Sequence, residues 1–237
     1  MKAIFLYDYT GVMAQPWVNA GYDCYLFDGQ HKEGIHKEGN ITKVGMRFDA
    51  YNTKKDVQII TNIVGEGVTF VFGFPECTDM AVSGAAHFKK KESVNPAYQA
   101  EAVELARLVS YVGNHYQCPW GLENPVSVLS SIWRKPCFYF NPFEFGGYLP
   151  ENDVHPLYPE YIKPRDAYPK KTGIYTGNGF IEPIRKEVEV SGGYSLQHSK
   201  LGGKSLKTKN IRSATPRGFA IAVYEANKGL SPLRINL

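Results

Sequence analysis

The chain has 237 residues, with 27 Lys and Arg against 23 Asp and Glu, a formal net charge of +4 and 43% hydrophobic residues. That length suits one large α/β domain with a full core, and no apolar run approaches the length of a membrane span, so no membrane association is expected. Four widely spaced cysteines, Cys24, Cys77, Cys118 and Cys137, lack a C-x-x-C pair or a neighbouring His cluster, which argues for reduced thiols and against both a zinc site and a disulfide framework.

Ala3 to Tyr7 reads as a first strand. The opening residues pass from a short apolar segment straight into an acidic, aromatic turn, without the longer apolar region and cleavage site of a signal peptide, so a cytoplasmic protein is expected. A helix follows around Val12 to Ala20, closed by Gly21, and then a strand at Cys24 to Phe27. The doubled tetrapeptide His31 to Gly34 and His36 to Gly39 reads as a polar loop, because two copies of four residues do not make a repeat fold, and a metal site is not expected there. Next come a strand near Lys43 to Phe48, a helix from Lys54 to Val64 and a β-branched, aromatic strand from Val68 to Phe72.

The helix expected from Pro96 to His115 has the best amphipathic spacing, with Ala102, Leu105, Ala106 and Val109 on one face. A strand at Trp120 to Leu122 and a short helix at Val126 to Trp133 follow. After Lys135 the texture turns aromatic and rich in Pro and Gly, which predicts ordered, irregular structure. A strand at Gly173 to Thr176 and a last helix at Gly218 to Ala226 complete the pattern. Strands alternating with helices predict an α/β fold with a mostly parallel central sheet flanked by helices.

Three features fall at predicted strand ends, where ligand chemistry sits in such sheets. Asp8, Tyr9, Thr10 and Gly11 follow the first strand and Asp28 ends the second. A Gly turn lets backbone approach a nucleoside, and an acid about 20 residues on can hold ribose hydroxyls. Only Gly11 of the dinucleotide G-x-G-x-x-G fingerprint is present. Cys77 follows the strand at Val68, where a nucleophile belongs, an ordinary buried thiol being the plain alternative. Glu123 follows the strand at Trp120, either as an acid opposite the thiol or as an acid at a helix N-terminus. Late in the chain Lys200, Lys204, Lys207, Lys209, Arg212 and Arg217 gather in a Gly- and Ser-containing stretch, suited to phosphate contact or to a solvated loop.

The run from Phe72 through Pro75, Cys77 and Ser83 to Gly84, with Glu123-Asn124-Pro125 downstream, resembles the Pro-Cys and Glu-Asn-Val motifs of DNA cytosine-5 methyltransferases, most of all the short forms found in bacteriophage genomes. Leu6 to Asp28 is similar to that family's opening cofactor motif, and Ile211 to Asn227 to its closing helix motif. The matches occur in family order and span almost the whole chain. The resemblance implies a Rossmann-like class I S-adenosylmethionine-dependent methyltransferase, residues 1–237 forming a single catalytic domain, acting on DNA in the cytoplasm, of the host if phage-encoded.

It further implies that Cys77 adds to carbon 6 of cytosine while Glu123 contacts the ring, with Lys170 and Lys171 the nearest candidates for the missing arginine of the target-base site. Asp8, Tyr9, Thr10, Gly11, Asp28, Asp49, Pro75, Ser213 and Ala214 would line the cofactor pocket. Residues 184–212 stand where sequence-specific members carry a large recognition domain, so Lys204, Lys207, Lys209 and Arg212 would form a minimal loop on the DNA backbone. Glu76 and Thr78 depart from the family turn, and an acid beside a thiol raises its pKa unless it points away. Two alternatives stay open: a free cytosine nucleotide as methyl acceptor, or a cofactor- and DNA-binding relative with little or no activity. The oligomeric state is open, with a monomer favoured.

Overall fold

A computed structural model of the chain describes residues 1–190, 197, 200–201 and 205–230. The chain divides into two compact units, the first built from Met1–Tyr139 and Thr172–Phe180, the second from Phe140–Lys171 and Ile181–Lys228.

The strands, in chain order, are β1 (Lys2–Leu6), β2 (Asp23–Glu38), β3 (Ile41–Gly45), β4 (Val68–Gly73), β5 (Trp120–Pro125), β6 (Phe138–Phe140) and β7 (Thr172–Gly177). They form one seven-stranded sheet in the order β3-β2-β1-β4-β5-β7-β6. β1 runs parallel to β2 and to β4, β4 parallel to β5, and β7 antiparallel to β5. This is a Rossmann-like α/β sheet, winding outward in two directions from β1 and β4. The expected mostly parallel sheet is present.

The first unit carries five helices: α1 (Gln15–Asn19), α2 (Thr53–Val64), α3 (Phe88–Val94), α4 (Tyr98–His115) and α5 (Leu129–Ile132). Successive side chains of a strand face opposite ways. Ile4 and Leu6 of β1 therefore join Val71, Leu122, Val109 and Val112 in one buried cluster under α4. Phe5 faces the other way, edge-on to Trp17 of α1, whose ring stacks on Phe70 at 4.5 Å. Gly73 permits the close approach of α4, since a Cβ there would lie 2.4 Å from Val109 Cγ2.

Several expectations change here. The doubled His-Lys-Glu-Gly segment is strand, not loop. Cys24 to Asp28 pair in parallel with Ile41 to Gly45, and then the register reverses: Ile35 lies opposite Val44, His36 opposite Lys43, Lys37 opposite Thr42 and Glu38 opposite Ile41. The second half of β2 thus folds back on β3 as a hairpin turned at Gly39 (φ +57) and Asn40. A 3-10 turn at Val82–His87 and α3 fill a stretch where no element was expected, because neither has the length for a clear period. α4 begins two residues after the expected Pro96, and the helix expected from Val126 to Trp133 shrinks to Leu129–Ile132.

The second unit is built around stacked aromatics. Phe140 and Phe219 lie 4.0 Å apart, with Phe145 against both. A 3-10 helix at Pro142–Tyr148 opens with a capping box between Asn141 and Glu144. Two further helices are α6 (Leu206–Ser213), capped by Ser205 accepting from the Thr208 N–H, and α7 (Arg217–Asn227). The late basic stretch is therefore helical over Leu206–Ser213 rather than a loop; Lys204 lies outside the described residues. Arg217 leaves that basic group altogether. Its guanidinium bonds both Asp153 oxygens at 2.7 and 2.6 Å and Asp166 Oδ1 at 3.1 Å.

Candidate active site at the switch point of the sheet

Strand order reverses between β1 and β4, and the crevice beyond the carboxyl ends of the strands at such a point is where open α/β sheets bind ligands. One rung of the sheet organises the first unit's candidates. Leu6 pairs with Phe27 on one side and Gly73 on the other, and Gly73 pairs with Leu122. Asp28, Asp8, Cys77 and Glu123 follow those four residues by one, two, four and one positions. β1 and β4 end at this rung, so the Asp8 and Cys77 turns leave the sheet there, whereas Asp28 and Glu123 stand at the same level within β2 and β5, which run on to Glu38 and Pro125.

The β1 turn is built under strain. Tyr7, the residue that leaves the strand, has φ +58, a conformation that costs a non-glycine residue about 1 kcal/mol or more. It is held there by its N–H on the Phe27 carbonyl (2.7 Å), its hydroxyl on the Leu105 carbonyl (2.7 Å) and its ring against Phe48. The turn that results buries Asp8, which is 2% exposed. Asp8 Oδ1 accepts from the Gly11 N–H at 2.7 Å and the Thr10 hydroxyl at 3.3 Å, while Oδ2 is buried with no protein partner. Burial pushes the Asp8 carboxyl up to about 6, against those two hydrogen bonds, with the Asp28 charge adding to the rise. Gly11 sits at φ +70, where a side chain is strained.

Asp28 and Glu76 complete an acidic rim. Asp28 is half-buried, accepts from the Gln30 N–H at 2.7 Å, and is raised first by burial and also by the Glu76 charge. His31, in the arm of β2, lies over the Asp8 turn, with Nε2 3.2 Å from the Asp8 carbonyl and its ring 5.5 Å from Tyr9. Burial holds its pKa below the ordinary histidine value, although Asp28 pulls it up. Sequence reading missed His31 as a neighbour of this turn, because its repeat pointed to a loop. Its position three residues beyond Asp28, the acid expected at the end of the second strand, was the available signal.

Cys77 opens a helical turn, its carbonyl accepting from Met80 (3.0 Å) and Ala81 (2.8 Å). Its side chain is half-buried, and Pro75 is buried beside it in the chain. Glu76 points to solvent, accepting from the Thr78 hydroxyl at 2.7 Å. Lys91 of α3 clamps the turn through the Thr78 carbonyl and Asp79. The Cys77 and Glu123 segments are stitched together: Val82 N–H bonds the Val126 carbonyl, Val128 N–H bonds the Met80 carbonyl, and Ala81 bridges Ser127. Glu123 itself is half-buried on β5, and next to it Asn124 is fully buried.

Asp49 is exposed, and its oxygens accept from the Tyr51 N–H and the Asn52 side chain at the start of α2, which lowers its pKa. The remaining candidates belong to the second unit. Lys171 is exposed before β7, and Lys207, Lys209 and Arg212 are exposed on α6. Ser213 is exposed, and Ala214 is buried with Ile162 and Tyr168. Among the described residues no group of three or more His, Cys, Asp or Glu could hold a metal ion, and no helix is long and apolar enough to cross a membrane.

No family model matches the chain, and no curated protein matches it. Solved structures do match, among them a protein described as a candidate DNA modification methyltransferase encoded within a prophage of E. coli, at 10% identity and a TM-score of 0.42. That match covers 80% of this chain, which spans about half (53%) of the other protein's length, and at that score it carries no argument about function.

Proposed function

We propose that the chain transfers a methyl group from S-adenosylmethionine to carbon 5 of cytosine in DNA, with Cys77 as the nucleophile. The observation that carries this reading is the shared rung: a buried acidic turn and a thiol turn leave the ends of β1 and β4 at the switch point, level with a carboxyl on the neighbouring strand β5.

The residues fit the cofactor. A ligand with a sulfonium, an ammonium group and ribose hydroxyls suits a crevice rimmed by Asp8, Asp28 and Glu76, and the unpartnered Asp8 Oδ2 is an acceptor for one of its donors. When bound, S-adenosylmethionine supplies an electrophilic methyl group. Tyr9, Thr10 and Gly11 would hold its methionine end, Asp28 its ribose, Asp49 its adenine amine, with Pro75 as a further wall.

The Cys77 thiolate would add to carbon 6 of the ring, turning carbon 5 into a nucleophile. Glu123 would hold the ring through nitrogen 3 and the exocyclic amine, favouring the charge that develops there. Loss of the carbon 5 proton to a base or water, and expulsion of the thiolate, restore the ring. The target atom is unreachable in a stacked duplex, so the base is flipped out or single-stranded. Lys204, Lys207, Lys209 and Arg212 would contact the backbone, and Lys171 would add charge near the target base.

DNA containing 5-fluorocytosine blocks the proton loss. Incubated with it and S-adenosylmethionine, the protein is expected to form a covalent adduct that Cys77→Ser does not form. Failure to trap an adduct with any DNA, single- or double-stranded, overturns the reading. Labelled methyl transfer to deoxycytidine monophosphate in the same assay separates a nucleotide acceptor from DNA.

A further inference from the structure

The hairpin arm of β2 leaves one long edge of the sheet exposed. Residues 32–38 are all exposed, Ile35 to 57%, and among the described residues no strand pairs with their outer side. Among the described residues Lys32, Glu33, Lys37 and Glu38 have no ion-pair partner. Unpaired strand edges invite other strands, and lone charges are a common defence. Here the charges do more than defend.

We propose that this edge pairs antiparallel with the same edge of a second copy of the chain, centred on Ile35. Around that centre Lys32 falls opposite the partner's Glu38 and Glu33 opposite the partner's Lys37, so the two-fold gives four opposite-charge pairs flanking an Ile-Ile contact. Opposite charges directly across a ladder attract and like charges repel. The pattern also selects its register. A slip of one residue sets Glu33 against Glu38, or in the other direction Lys32 against Lys37, and a slip of two removes every charge pair.

Local geometry agrees with this centre. In a two-residue hairpin the closing pair, Glu38 and Ile41, turn their backbone groups toward each other, so those of Lys37 and Ile35 point outward, toward a partner. Glu33 and Gly34 both lie opposite Gly45, a bulge with Gly34 at φ +94 and His36 Nε2 2.9 Å from the Glu33 carbonyl. The partner's His36 would fall opposite Gly34, which has no side chain to obstruct it. The proposal does not depend on the chemistry at Cys77.

Sedimentation equilibrium of three proteins tests it: the unmodified chain, Lys32→Glu with Lys37→Glu, and Glu33→Lys with Glu38→Lys. The unmodified chain is expected to dimerise. Each double variant turns four attractions into repulsions and should lower the association constant on the order of a hundredfold. An equal mixture of the two variants should recover dimer as a heterodimer. All changed residues are exposed, and circular dichroism with thermal melting confirms that each variant folds. A monomeric unmodified chain, a dimer that survives both swaps, or a mixture that stays monomeric would each overturn the pairing.

Discussion

Two buried aspartates, one in each unit, sit in opposite circumstances. Asp166 of the second unit has both oxygens engaged: Oδ1 by the Arg217 guanidinium, and Oδ2 by the backbone N–H groups of Arg217 and Gly218 at 2.6 and 3.3 Å. Arg217 in turn bonds Asp153 twice. Asp8 of the first unit is equally buried, faces no arginine, and keeps one oxygen without a protein partner. Burial raises the pKa of both. The difference lies in what opposes that rise: a cation built into the fold at Asp166, and at Asp8 the hydrogen bonds of Gly11 and Thr10 alone. A buried charge with its partner supplied is architecture, whereas one without is a place for a ligand to complete.

Breaking the architectural side should have the largest effect. Arg217→Met leaves Asp153 and Asp166, with side chains 8% and 1% exposed, facing each other without a cation. A loss of about 3–5 kcal/mol is expected in urea unfolding at neutral pH, easing as the carboxylates protonate in acid. Asp8→Asn should move stability the other way. Folding raises the Asp8 pKa from 3.8 to about 6. The protonated form is thus the one that folding favours, so its contribution is full below pH about 4 and is lost as pH rises through about 6. Ionised Asp8 costs up to about 3 kcal/mol at pH 7, and Asn in its place should recover most of that at pH 7 and nothing at pH 4, while weakening S-adenosylmethionine binding in calorimetry. A variant destabilised at pH 7 would place Asp8 with Asp166 as structure.

The two regions also differ in how legible they were. β1, β4 and β5 were plain in sequence, because apolar runs, β-branched and aromatic in β4, ended in turn residues, and α2 and α4 were plain from their apolar faces. Asp8, Cys77 and Glu123 stood out because each follows such a run by a few residues. The Arg217 cluster was invisible: its members are 51 and 64 residues apart, and Arg217 read as one more basic residue in a basic stretch. The arm of β2 was lost for another reason. Its strand is stabilised by backbone pairing to β3 rather than by burial, so no apolar alternation marks it.

Glu76 gives the smallest effect and the finest test of the acidic rim. In sequence it threatened the thiol beside it. In the fold its carboxylate is exposed, takes the Thr78 hydroxyl, and lies near enough to Asp28 to raise that residue's pKa. If the rim is a unit for a cationic ligand, Glu76→Gln should lower the Asp28 pKa in an NMR titration and weaken S-adenosylmethionine binding by about twofold to fivefold, the scale of one exposed charge. The rate at which Cys77 reacts with an alkylating reagent at pH 7 should change by less than about twofold, since solvent screens an exposed carboxylate. A thiol that reacted many times faster in the variant, with unchanged cofactor binding, would assign Glu76 to Cys77 instead. The acidic rim would then shrink to Asp8 and Asp28, and the contrast with the paired carboxylates of the second unit would rest on Asp8 alone.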